Sequence, residues 1–300
     1  IMADDTARKA FMEEGIANGA LVRSSYTIGF RYLVAIFGCI GVILFLITFF
    51  TTRERVTPPK RQDAHLGRDF KYLFKNRPWV VLTLVGIVSF IMFAIQNISA
   101  TYYFKYFLGA ESKSQIFNIL GTVALIIAIP MTKPLVKKFG AKQLYIVCSI
   151  LSGLFFCLLF FAGRNFVLIN VFNCMGKIAY APAISLLWTM LADAADYGEW
   201  KFQRRTTGLC LSAAVFAQKI GWSIGAALFG AVMSYIGYNA DVLTIDQIQH
   251  TPLIMNTFHW MFGIVPGVLY ASCAIFLAFY NLDSATIEQM KNELEERRQQ

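Results

Sequence analysis

Two lysines stand where an ionisable side chain is costly. Lys177 and Lys219 each interrupt a long run otherwise free of Asp, Glu, Lys and Arg, residues 165–192 and 206–240. A charge in the middle of a membrane helix costs about 2.5 kcal/mol or more unless it meets a cavity, water or a partner. Lys219 lies inside its run, and on a 3.6-residue helix it shares a face with Ser212, Ser223, Ala226 and Gly230. That face is small and weakly polar, which suits a cavity wall or a close helix contact. The plainer alternative is a snorkelling lysine or one held in a structural ion pair. Lys177 begins a second stripe, with Tyr180, Ile184 and Trp188 following at i+3, i+7 and i+11. Aromatic faces receive the C–H bonds of sugar rings, and a lysine donates to hydroxyls; Tyr180 and Trp188 would equally serve packing between helices. Gln96, Asn97 and Asn173 are polar amides in apolar runs, where interhelical hydrogen bonds are the usual role. Asp193, Asp196, Tyr197 and Glu199, with Lys201, Arg204 and Arg205, place three carboxylates and three bases within 193–205. Lying where one helix ends and the next begins, such a cluster is either a solvated loop or a set of ion pairs able to close one side of a cavity. A catalytic carboxylate pair is disfavoured, because no nucleophile motif accompanies it.

The elements that carry these residues follow from composition. Hydrophobic residues make up 57% of the 300 and charged residues 15%, with a mean hydropathy of +0.54. A soluble domain would carry roughly a quarter charged residues. The uncharged intervals 32–52, 78–104, 114–132, 143–163 and 247–282 each approach or exceed the roughly 20 residues needed to cross the hydrocarbon core. With the two lysine-bearing runs, seven spans are predicted, the last starting near Thr257. The predicted organisation is a non-cytoplasmic loop over 1–30, a helix over 31–51, a charged linker over 52–77 containing Pro58 and Pro59, a six-helix bundle over 78–281, and a tail over 282–300.

Orientation follows from the basic residues, which collect in short cytoplasmic loops. Segments 52–77, 133–142, 193–205 and 282–300 hold eight, four, three and three Lys or Arg, eighteen together, against six on the other side, including Arg8, Lys9 and Arg23. The carboxy-terminus is therefore expected inside. The net charge of +9 reads as topology and contact with anionic lipid, not as nucleic-acid binding. The cysteines Cys39, Cys148, Cys157, Cys174, Cys210 and Cys273 lie in or beside apolar runs without a CxxC pair, so reduced packing cysteines are expected. His65, His250 and His259 lack ligand spacing, and no metal site is expected. No Walker-type loop, HExxH or GxSxG occurs, which argues against a pump or a membrane enzyme. The chain opens on Ile1 and Met2 without a signal peptide. An odd number of spans starting outside reads as the back portion of a longer chain.

Several segments together carry a family resemblance: NRPW (76–79), YYFKYFLG (102–109), ADAADYGEW (192–200), TTGLCLSAAVFAQKIG (206–221) and FYNLD (279–283). From residue 30 onward the chain resembles the glycoside-pentoside-hexuronide:cation symporters of the major facilitator superfamily. The resemblance implies an all-α membrane protein of twelve helices in two six-helix halves. Residues 31–51 would be helix six and 78–281 the carboxy-terminal bundle, with the first five helices lacking.

It further implies a secondary active transporter of the bacterial inner membrane, coupling Na⁺ or H⁺ to a sugar by alternating access. The coupling-cation site and the principal charged sugar ligands would sit on the first five helices, so no cofactor or metal is expected here. Lys219 would match the helix-eleven lysine near the cation and sugar sites. Lys177, Tyr180, Trp188, Gln96 and Asn97 would line the remaining half of the cavity, and Asp193, Asp196, Tyr197, Glu199, Arg204 and Arg205 would form the cytoplasmic gate. The expected partners are a sugar, the cation and lipid, with a monomer as the assembly. The alternative keeps the fold but moves a non-sugar amphiphile, or senses without transporting. The stretch Lys133–Lys142, with Pro134 and Gly140, is loosely similar to a basic connection of that superfamily, although topology alone explains it. The tail 284–300 spaces Ile287, Met290 and Leu294 at i, i+3 and i+7, predicting an amphipathic surface helix with Ser284 as its N-cap.

Overall fold

The computed structural model describes residues 29–52, 66–204, 206–238 and 252–299. Arg205, His65, His250, Pro58, Pro59 and most of the expected loop 1–30 lie outside the described residues. The chain divides into two units, 1–62 and 63–300. The first contributes α1 (Gly29–Thr51), 23 residues that are strongly apolar. Its Thr48 and Thr51 hydroxyls bond back to the carbonyls of Leu44 and Ile47 at 2.9 and 2.7 Å, which hides their polarity on the helix itself.

All the regular elements among the described residues of the second unit are helices. A short helix, α2 (Leu66–Lys75), occupies the end of the expected linker and leads into α3 (Arg77–Tyr102). Asn76 separates the two: its Oδ1 accepts from the Trp79 amide at 3.2 Å, and Pro78 sits where a missing N–H costs nothing. After α3 the chain widens into a π turn, Tyr103–Phe107. Then follow α4 (Ser112–Ala128), a 3₁₀ turn at Ile129–Met131, α5 (Thr132–Phe139), α6 (Ala141–Phe161), α7 (Phe166–Phe202) and α8 (Thr207–Tyr235). The last membrane-length helix begins at Pro252, earlier than the expected Thr257, and is broken at Gly263 into α9 (Pro252–Phe262) and α10 (Ile264–Ala278). Pro266 explains the break, because it has no N–H to return to the carbonyl of Phe262. A final helix, α11 (Ser284–Gln299), follows. Among the described residues, α1 included, seven helices are long and apolar enough to cross a membrane, in keeping with the uncharged runs.

Small residues set the closest crossings. On α8 the buried residues are Cys210, Ala214, Ala217, Gly221, Gly225, Phe229 and Met233, one stripe at helical spacing against α3. A Cβ on Gly221 would come within 2.7 Å of the Ile87 carbonyl oxygen, and one on Gly225 within 2.7 Å of that of Ile91. This is the small-xxx-small device by which membrane helices gain van der Waals contact without a hydrophobic force between them. Around the bundle, large apolar side chains such as Val147, Leu154, Val171, Phe216, Leu228 and Ile275 are exposed, the surface a lipid solvent asks for.

Candidate functional site

Helix α7 has 37 residues and is about 55 Å long at 1.5 Å per residue, well beyond a bilayer core. One part of it therefore carries membrane-depth residues and another carries charge. In the first part Asn173, Lys177, Tyr180, Ile184 and Trp188 recur on one face. That face meets α3, α4 and α8 around a cavity of about 410 Å³. Helix α3 adds Phe90, Phe93 and Asn97, α4 adds Phe117, Asn118, Thr122 and Leu125, and α8 adds Gln218 and Trp222. Its walls are thus rings and amides, with Lys177 as the charged lining residue.

Packing places each polar group. Asn173 is fully buried; its Nδ2 donates to the Phe117 carbonyl at 2.9 Å, leaving Oδ1 without a hydrogen-bond partner. Gly121 makes that possible, since a Cβ there would stand 2.6 Å from the Asn173 amide nitrogen. Lys177 is partly buried, and its Nζ donates to Oε1 of the buried Gln96 at 3.4 Å. The same ammonium lies 5.2 Å from the Phe93 ring centre, 5.7 Å from Phe156 and 5.9 Å from Tyr180, within cation–π range. Trp222 stacks on Phe93 with centroids 5.6 Å apart, and Tyr180 leans on Tyr270 at 5.1 Å. Pro182, inside α7, removes the N–H that would bond Ile178, a point at which this helix can bend.

The structure therefore brings Lys177, Tyr180, Trp188 and Asn97 to one cavity, with Gln96 behind Lys177. Lys219 does not line it. Lys219, Ser212, Ser223, Ala226 and Gly230 are all exposed, because the Gly221–Gly225 stripe, about 200° around the helix from Lys219, takes the packed side of α8. Sequence reading passed over Asn118, Thr122, Gln218 and Trp222. The available signal was two i, i+4 pairs in apolar runs, Asn118 with Thr122 and Gln218 with Trp222.

The charged part of α7 lies within the helix, not in a loop as one reading allowed. Asp193, Asp196, Tyr197 and Glu199 are all partly buried. Asp193 meets Lys291 of α11 at 2.9 Å, and Lys201 donates to the Tyr197 hydroxyl at 3.0 Å. Arg204 forms an ion pair with Asp69 of α2. Asn76 Nδ2 donates to the Ala194 carbonyl at 2.6 Å, and Trp79 Nε1 to that of Cys210 at 3.1 Å. Lys142 caps the end of α10, donating to the Tyr280 carbonyl at 2.7 Å. The tail is docked here too. Met290 and Leu294 are buried, and Trp200 Nε1 donates to Glu293 Oε2 at 2.7 Å. That bond, with others from Gln289 and the nearby Arg297 charge, holds the Glu293 carboxyl below its ordinary range. The helix cap is Asp283, not Ser284: its Oδ1 accepts from the Thr286 amide at 3.1 Å.

A polytopic bundle around an aromatic, amide-rich cavity, tied off by charge at one end, has known relatives. The inner membrane symporter YicJ of Escherichia coli K12 is 25% identical over 269 residues, 89% of this chain and 57% of that protein. The uncharacterized symporter YnaJ of Bacillus subtilis 168 is 29% identical over 274 residues, 90% and 58% of the two chains. The isoprimeverose transporter of Lactiplantibacillus pentosus is 28% identical over 258 residues, 85% and 52%. The chain thus spans little more than half the length of these relatives. The family model described as MFS/sugar transport protein matches residues 15–284, and the chain is accordingly a multi-pass membrane protein of the MFS/sugar transport protein family.

Proposed function

We propose that this chain belongs to a secondary active transporter that couples Na⁺ or H⁺ to the movement of a glycoside, pentoside or hexuronide across the bacterial inner membrane. The observation that carries this reading is the cavity of about 410 Å³, whose rings (Trp188, Trp222, Phe93, Tyr180) alternate with amides (Asn97, Asn118, Asn173, Gln218). Rings accept the apolar faces of a pyranose while amides exchange hydrogen bonds with its hydroxyls, the mixture a small-molecule site uses for affinity and orientation. The relatives named for symport and for isoprimeverose transport support the same class of cargo. In this reading α1 is helix six of a twelve-helix fold, and α3 to α10 supply helices seven to twelve. The coupling cation is held by helices outside this chain.

Alternating access then needs an end that closes. The inner ends of α2, α7 and α11 are joined by Asp69–Arg204, Asp193–Lys291 and Trp200–Glu293. Lys291 is half exposed, so the Asp193–Lys291 pair forms and parts at small net cost, while the largely buried Asp69–Arg204 pair is costly to break and holds the closed state. They therefore suit a cytoplasmic gate that opens and closes with the cavity.

The test is uptake of labelled glycosides, pentoses and hexuronates by inverted and right-side-out vesicles containing the intact protein, with and without an imposed Na⁺ or H⁺ gradient. A sugar that accumulates only under one gradient is expected. Transport of amphiphiles but no sugar, or no transport of either, would remove the proposal.

A further inference from the structure

We propose that the Lys177 end of the cavity is an anion subsite, so that the preferred cargo is a sugar bearing a carboxylate or sulfonate; this rests on the transport reading above. The argument starts from what surrounds the ammonium. Lys177 forms no ion pair among the described residues, and the lining of the cavity contains no Asp or Glu. The acids of its own helix begin at Asp193, sixteen residues on, about 24 Å along the axis. The groups that do face Nζ are the Gln96 carbonyl oxygen and the rings of Phe93, Phe156 and Tyr180. These stabilise a cation without neutralising it.

A second observation makes the site more than one lysine. Gln96 is 2% exposed, and its Oε1 is taken by Lys177 while its Nε2 is buried with no hydrogen-bond partner. A buried N–H donor left unpaired is costly, because it has given up water without gaining an acceptor. Gln96 stands behind Lys177, outside the lining itself, beside a cation with no carboxylate partner among the described residues. An ammonium and an amide N–H together are the donor set a carboxylate or sulfonate oxygen requires. The rest of the cavity is equipped for the sugar body: the free Oδ1 of the buried Asn173 accepts from a hydroxyl, and Trp188 and Trp222 offer ring faces. Neutral sugars would fill that part and leave both donors unanswered, and a site built for a polar group discriminates strongly against a ligand that lacks it.

Trp188 and Trp222 line the cavity, so tryptophan fluorescence of the purified intact protein reports its filling. Titrations with glucose, glucuronate and 6-deoxy-6-sulfoglucose decide the matter on the unmodified protein. Either or both anionic sugars should bind roughly tenfold or more tightly than glucose. Lys177→Gln should bring that ratio close to one by weakening the anionic sugars far more than glucose, and Lys177→Arg should preserve part of it. Equal affinity for glucose and the anionic sugars would overturn the anion subsite while leaving sugar transport standing. So would a Lys177→Gln protein that retains the full ratio or loses all three ligands alike. Binding of none of the three, with no uptake in the vesicle assay, would overturn both proposals.

Discussion

At the scale of single residues, the two membrane-depth lysines have different surroundings although their sequence contexts are alike. Lys177 sits among rings and an amide at a cavity wall. Lys219 projects from the exposed, small-residue face of α8. In lipid that position is costly, so in the transport reading Lys219 meets a carboxylate or the cation-dependent cavity contributed from beyond this chain. Lys219→Ala in the intact protein should then cut cation-stimulated uptake by roughly 5- to 150-fold, the range of ordinary coupling free energies, with membrane insertion unchanged. Uptake and cation stimulation equal to those of the unmodified protein would show that this lysine only anchors its helix.

At the scale of elements, the tail helix is attached by particular bonds, and one of them titrates. Glu293 accepts from Trp200 and Gln289 as a carboxylate, and its pKa is lowered by those bonds. A carboxyl whose folded pKa is depressed contributes stability above its unfolded pKa, near 4.3, and loses it as pH falls through the folded value. Acidification from pH 6 through pH 4 and below should therefore release α11 from α7, read as accelerated proteolysis between Leu282 and Lys291 or as a change in Trp200 emission. Glu293→Gln should flatten that transition. An unmodified protein whose tail stays protected to pH 3 would show that Met290 and Leu294, both buried, suffice to hold it. The same principle, a polar group finding its partner on a neighbouring helix, fixes the start of α3 through Asn76 and the end of α10 through Lys142.

At the scale of the whole molecule, the distribution of basic residues and the helix order give one orientation. The segments rich in Lys and Arg, around the α2–α3, α5–α6 and α7–α8 junctions and within α11, fall at alternate ends of the spans. Reporter fusions after residues 138, 203 and 295 should read cytoplasmic, and one after residue 110 periplasmic. Reversal of the 110 and 138 results would invalidate the proposed orientation.

Seven spans, their order and the basic asymmetry were legible in the sequence, because membrane insertion depends on the summed hydropathy of about twenty consecutive residues and on flanking charge. The stripe from Lys177 to Trp188 was legible too, since helical periodicity alone aligns it. What periodicity cannot supply is the facing of one helix toward another. Asn118 and Thr122 come to the cavity from α4, and Gln218 and Trp222 from α8. Lys219, one residue beyond Gln218 and so about 100° around the axis, is turned away from it. That rotation is decided by Gly221 and Gly225 meeting the α3 backbone, a fit between two surfaces far apart in the chain. The helical continuation of α7 through its acids and the docking of α11 on Trp200 likewise depend on neighbours that no local window contains.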